Sequence, residues 1–325
     1  MKKFYENNKK YLSGLGPVSI LLVIMAFLAI TTASFRSWTN FSQILLSGTV
    51  YMLLAMGMTF IMIIGGIDLS FGSILGLAGG LFCFFLAWGL PLWVTVILTI
   101  GVGVLCGFLN GMMVTKLGLI PFIATLGGQW VYRGILKLLN NGSTITLRGF
   151  VPDEVISAVN YIGNGRFLGI PIPVYVVIVC AVILTFLLRK TTFGRSCYAI
   201  GSNAETARMS GINVDRIKLL AFMLGGALAG LAGMIMTCRM FSAQANTGEG
   251  YEFEGIFAAV VGGVSMAGGE GNVFGALIGA WIVATLRNGL NLNGINSFWQ
   301  QVILGVLVVL VVYADTLRTK KRKSL

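Results

Sequence analysis

The chain has no histidine and only 11 acidic residues among 325. Without imidazole there is no histidine general base and no histidine metal ligand. Five cysteines are present. Cys83, Cys106, Cys180 and Cys238 lie in apolar runs and Cys197 in a polar stretch, and no two have the spacing of a metal or redox pair. The pattern GxxxxGK[ST] is absent, and no glycine is followed by lysine anywhere. A phosphate-binding loop of that type is therefore excluded, and ATP used by a system containing this chain must bind to another subunit. Charge itself is scarce, at 10% of residues against about a quarter in an ordinary soluble domain.

Apolar sequence fills the space: 56% of residues are hydrophobic and the mean hydropathy is +0.88. This is the composition of an all-α, polytopic membrane protein. The net charge of +12 would suit a nucleic-acid partner, but its distribution argues against one. Sixteen of the 23 basic residues fall at Lys2, Lys3, Lys9, Lys10, Lys116, Arg189, Lys190, Arg195, Arg208, Arg216, Lys218, Arg318, Lys320, Lys321, Arg322 and Lys323. These places all face one side if the chain crosses the membrane ten times, so the positive-inside rule puts them and both termini in the cytoplasm. The charge then reads as orientation and as contact with anionic lipid headgroups. The basic start runs into a long span with no convincing small-residue cleavage site, which reads as an uncleaved start.

The apolar segments are expected at 17–33, 41–64, 71–88, 91–116, 119–139, 174–188, 219–238, 253–264, 273–286 and 298–313. The third, eighth and ninth are interrupted by glycine-rich breaks and can also be read as re-entrant. Five regions follow: a basic tail at 1–16, a first membrane half at 17–188 with an outer loop at 140–173, a cytoplasmic segment at 189–218, a second membrane half at 219–314, and a basic tail at 315–325. A short interfacial helix is expected near 153–159.

The longest polar interruption in the second half, at 191–218, organises the chain. Asn203 reads as an N-cap, Glu205 as a first-turn acid and Gly211 as a stop. A short cytosolic helix held between two spans is a handle for a partner protein. Elsewhere, Asp68 in the break at 65–70 reads either as a helix cap assisted by Ser70 or as part of a gate, since a carboxylate at bilayer depth must face protein or water. Gln129 and Arg133 share a helix face and, with Asn110, are candidates for a polar path; alternatively Arg133 snorkels or bonds backbone carbonyls. Glu249, Glu252 and Glu254 are candidates for docking a basic partner on the outer side, or simply belong to a helix N-terminus. No set of residues suggests a metal site. The runs beginning at Gly101 and Gly269 mimic nucleotide fingerprints but lack a strand–turn–helix context. Glycines and alanines at 225–233 suit close helix packing.

The sequence resembles the permease subunits of bacterial ABC importers of the ribose, galactose and xylose class, a branch that also holds autoinducer-2 permeases. The matching runs are AMGMT at 55–59, GIDLSFGS at 66–73, PFIATLG at 121–127, TFGR at 192–195, YAIG at 198–201 and ARMSGIN at 207–213. VGGVS at 261–265 with Gly268 and Gly269, NGLN at 288–291 and SFWQ at 297–300 complete them. They cover nearly the whole chain in order. Phe71, where such permeases commonly carry a smaller residue, and Glu270 are departures that should perturb packing rather than class.

The resemblance implies a bacterial inner-membrane permease working as a homodimer or with a related paralogue. An ABC ATPase subunit carrying ATP and magnesium would sit on the cytoplasmic side, and a periplasmic or lipid-anchored sugar-binding protein outside. It maps the coupling segment onto Glu205, Ala207, Arg208 and Gly211, assigns no enzyme activity or cofactor to this chain, and gives a monosaccharide as the cargo. The competing readings are an ion-coupled secondary transporter, which needs midplane ion ligands, and an intramembrane enzyme, which needs a nucleophile and base.

Overall fold

A computed structural model describes the backbone of residues 2–323 and the side chains of 16–313 and 316. The terminal basic side chains used above for orientation (Lys2, Lys3, Lys9, Lys10, Arg318, Lys320, Lys321, Arg322 and Lys323) lie outside the described residues. The elements, in order, are α1 (Lys2–Thr31), α2 (Trp38–Ile63), α3 (Phe71–Ala87), α4 (Leu92–Thr115), α5 (Pro121–Leu139), β1 (Ile145–Thr146), α6 (Asp153–Asn164), β2 (Arg166–Phe167), β3 (Ile170–Pro171), α7 (Ile172–Lys190), α8 (Thr192–Ser202), α9 (Ala204–Met209), α10 (Val214–Met240), β4 (Ser242–Ala243), α11 (Tyr251–Val261), α12 (Val273–Leu292) and α13 (Ser297–Lys323). The chain is an all-α polytopic membrane protein. Five helices, α2, α4, α7, α10 and α12, are long and apolar enough to cross a bilayer, and Gly16–Thr31, Phe71–Ala87 and Ser297–Tyr313 are shorter apolar stretches.

α2 and α10 form the centre. Nearly every residue of α2 from Gly48 to Ile63 is buried, although the helix is apolar all round; it is wrapped by other helices and has no face left for lipid. α10 meets α4 through small residues: a Cβ at Gly103 or Gly107 would run into the α10 backbone at Gly226 or Phe222. Such close backbone approach is how helices associate where lipid removes the hydrophobic drive. Phe71 is fully buried, and its ring lies against Gly57 of α2 and Gly225 of α10. The larger side chain is thus accommodated between two glycines.

Several boundaries differ from the sequence reading; α12, for one, runs to Leu292 through the start of the expected outer turn. α10 begins at Val214, capped by Asn213, whose side chain accepts from Arg216 N at 3.0 Å. α6 runs to Asn164 rather than ending near 159. α8 is a helix where a loop was expected, because Thr191 caps it by accepting from Gly194 N at 3.3 Å. α11 has only 11 residues, about 16 Å of rise, or half of the roughly 30 Å hydrocarbon core. The chain reaches its start by an inward leg at 244–250, whose Thr247 and Gly248 carbonyls pack against Gly76 and Gly72 of α3. On the outer side β1 pairs antiparallel with β4, tying the long outer loop to the end of α10.

Candidate functional site

Three polar clusters interrupt the apolar bundle. The first is the segment between α7 and α10. Asn203 accepts from Thr206 N at 2.9 Å and caps α9, and Gly211 ends the turn at φ +82°, a conformation costly for other residues. Ala207 faces inward, while Glu205, Arg208, Met209 and Gly211 are exposed. Arg208 reaches Asp215 at 3.5 Å, but both are exposed and the pair contributes little. α8 anchors this unit to the bundle. Phe193 stacks on Phe60 of α2 with ring centroids 6.1 Å apart, and Tyr198 Oη donates to the Gly271 carbonyl at 2.7 Å. Gly201 packs on the Ile63 carbonyl so closely that no Cβ fits, and Gly269 N donates to the same carbonyl at 2.9 Å. The glycine breaks after α2 and after α11 therefore meet at α8. Burial pushes the Cys197 thiol up to about 12, so it is an inert packing group at neutral pH.

The second cluster surrounds the break between α2 and α3. Asp68 is fully buried. Its Oδ1 accepts from Ser70 N at 2.8 Å and Ser70 Oγ at 2.6 Å, and its Oδ2 accepts from Asn110 Nδ2 at 3.2 Å. Asn110 also donates to Ser70 Oγ at 2.7 Å and accepts from Tyr132 Oη at 2.9 Å. Leu69 N donates to Thr125 Oγ1 at 3.1 Å. The carboxylate thus closes the turn before α3, whose N-cap Ser70 makes no side-chain capping bond, so the expected cap is corrected to a turn clamp; it cross-links the break to α4, with α5 attached through Tyr132 and Thr125.

The third cluster lies around α11. Gln129 Nε2 donates to Glu252 Oε1 at 3.1 Å. Arg133, one turn on, donates to the Ala245 and Thr247 carbonyls of the inward leg. Gln129 and Arg133 therefore share a face, but neither bonds to Asp68 or Asn110, which are wholly enclosed. Glu254 pairs with Arg287 of α12, and Arg287 lies 5.8 Å over the Tyr51 ring. Of the three glutamates, Glu249 is exposed while Glu252 and Glu254 are buried in the first turn of α11. The expected outward docking patch is corrected to Glu249 alone, because the inward leg carries the other two carboxylates into the protein.

Sequence reasoning missed Tyr51, Arg239, Tyr251 and Arg287. The rings of Tyr51 and Tyr251 lie tilted against each other, centroids 5.4 Å apart, at the floor of an outer cavity of about 470 Å³ that Gln43, Ser47, Asn164 and Arg239 also line. One carboxylate oxygen each of Glu252 and Glu254, and the Nε atoms of Arg239 and Arg287, are buried without a hydrogen-bond partner. The available signal was a cation bordering the end of each of two apolar runs, where an ionisable residue at membrane depth asks for a partner. Among the described residues no group of acidic or cysteine side chains is arranged to hold a metal ion.

A family model described as "Branched-chain amino acid transport system / permease component" matches residues 40–312. The chain is similar to the ribose import permease protein RbsC of Bacillus subtilis, 41% identical over 305 residues, covering 93% of this chain and 92% of that one. It is 38% identical to the RbsC of Haemophilus influenzae over 302 residues, covering 93% of each chain. It is 36% identical over 357 residues to the xylose transport system permease protein XylH of the same organism, covering 93% and 95%. No solved structure matches. With nearly its whole length aligned to these transporters, the chain belongs to the transport-permease family that the model describes.

Proposed function

We propose that this chain is the membrane-spanning subunit of an ATP-driven importer that passes a monosaccharide, ribose-like or related, into a bacterial cytoplasm. The single observation that carries the coupling half of this reading is the α8–α9 unit. Its outer face exposes Glu205, Arg208 and Met209, while its inner face is bound to both broken spans through Gly201, Tyr198 and Phe193. A separate ATPase subunit, holding ATP and magnesium, pushes α9. α8 then passes the displacement to the breaks at 64–70 and 262–272, as small shifts of packed helices do in other bistable assemblies. The names of the relatives supply the cargo class.

On the outer side a sugar-binding protein delivers the sugar, with Glu249 the one glutamate of the three still available to it. The cavity over Tyr51 and Tyr251 combines an aromatic floor with hydroxyl, amide and guanidinium donors, which suits a polyhydroxylated ligand. Gln129 and Arg133 hold the α5–α11 seam, and Asp68 with Asn110 fastens the break that must move. Two copies of the permease, identical or paralogous, complete the path in the inner membrane. Asp68 already accepts three hydrogen bonds, which argues against a coupling-ion site there. Co-expression with an ABC ATPase and reconstitution in vesicles with a ribose- or xylose-loaded binding protein tests the reading. ATP-dependent uptake is expected; uptake driven by a proton or sodium gradient without ATP would overturn it.

A further inference from the structure

A groove of about 680 Å³ runs between α2, α7 and α12. Its length follows α7 from Val174 to Arg189, roughly 22 Å of helix rise. Ile178, Ala181, Val182, Phe274, Leu277 and Trp281 give it an almost entirely apolar lining, and Arg189 and Lys190 close its cytoplasmic end. Both cations are exposed. The ion pairs among the described residues are Arg208–Asp215 and Arg287–Glu254, so neither has a carboxylate partner. An apolar trough ending in two unpaired cations at headgroup depth matches one ligand chemistry, an acyl chain attached to an anion.

We propose that this groove is a binding site for an anionic phospholipid of the inner leaflet, with an acyl chain along α7 and the phosphate at Arg189 and Lys190. Charge decides against a second copy of the chain as occupant. A two-fold contact uses the same patch on both partners and would bring these cations to the same depth on facing surfaces. The site's position gives it a consequence. Thr191 follows directly and caps α8 through Gly194 N, so the headgroup sits at the joint between α7 and the coupling unit. Occupancy stiffens that joint, making coupled transport depend on anionic lipid.

Native mass spectrometry of the purified full-length chain, titrated with phosphatidylglycerol or phosphatidylcholine of matched acyl chains, tests this. Wild type should retain phosphatidylglycerol with roughly thirtyfold preference, the scale expected of two cations near a membrane surface. Arg189→Gln with Lys190→Gln should abolish the preference, whereas Arg189→Lys with Lys190→Arg should keep it, which separates loss of charge from misfolding. Ala181→Trp, which fills the trough, should lose both lipids without altering oligomeric state. Equal retention of the two lipids by wild type, or an undiminished preference in the Gln pair, would overturn the proposal. A change of oligomeric state with Ala181→Trp would overturn it too, assigning the groove to a second copy.

Discussion

The inner and outer ends of this bundle are joined by different physics. At the inner end, the end of α2, α8 and the loop after α11 are held by tight backbone contacts beside the Phe193 and Tyr198 anchors: Gly269 N bonds the Ile63 carbonyl, and Gly201 lies against it with no room for a side chain. At the outer end the joints are long charged and polar side chains, Arg133, Gln129, Glu252, Glu254, Arg239 and Arg287, several with buried atoms left without partners. Backbone joints cannot lengthen without breaking, so they transmit displacement. Side-chain joints with spare donors and acceptors can exchange partners when water or a ligand enters. The difference suits a molecule driven from inside that must accept cargo from outside.

The largest effect is expected at Gly201. Gly201→Val places methyl groups against the Ile63 carbonyl and should destabilise by about 3 kcal/mol or more, seen as loss of monodisperse protein in mild detergent. Wild-type melting behaviour would refute the backbone joint. At the outer end, Arg287→Ala leaves Glu254 buried and unpaired. Because Arg287 retains 29% side-chain exposure, the cost is set at the low side of a broken buried pair, about 2–3 kcal/mol. Removing both charges with Glu254→Gln and Arg287→Gln should recover part of it, and a double variant as unstable as Arg287→Ala would contradict this. Asn110→Ala strips Asp68 and Tyr132 of a shared partner and should cost about 1–2 kcal/mol. An unchanged melting midpoint would show that the Asp68 cluster is not a clamp. The smallest effect on stability belongs to Arg208→Ala, within about 0.5 kcal/mol, since its ion pair is exposed; a larger drop would mean that α9 is held to the bundle by that charge.

Much of this arrangement was legible in the chain. Asn203, Glu205 and Gly211 mark α9 because capping and left-handed backbone have residue preferences that act locally. The breaks at Gly65 and Gly262 were visible for the same reason; Asp68 beside Ser70 read as a cap, whereas its carboxylate closes the turn before α3 and ties it to α4. What was hidden depends on tertiary placement. Glu252 and Glu254 follow a polar stretch and read as outward-facing. They are buried because the leg at 244–250 turns inward along Gly72 and Gly76, and nothing local to 249–254 encodes that turn. Arg239 and Arg287 read as span ends, although a cation directly bordering an apolar run already asked for a partner. α8 looked like loop because its sequence is short, mixed and held mainly by contact with Phe60 and Ile63.

The central claim is that α9 delivers force from an ATPase to the bundle through α8. Gly211→Pro denies the left-handed turn at φ +82°, and Arg208→Glu reverses the exposed charge while leaving the packing alone. In vesicles containing the permease, an ABC ATPase and a sugar-loaded binding protein, ATP hydrolysis and labelled-sugar uptake would be measured together. Both variants should insert normally and lose at least tenfold in uptake per ATP hydrolysed. Unchanged uptake per ATP in both would contradict the claim.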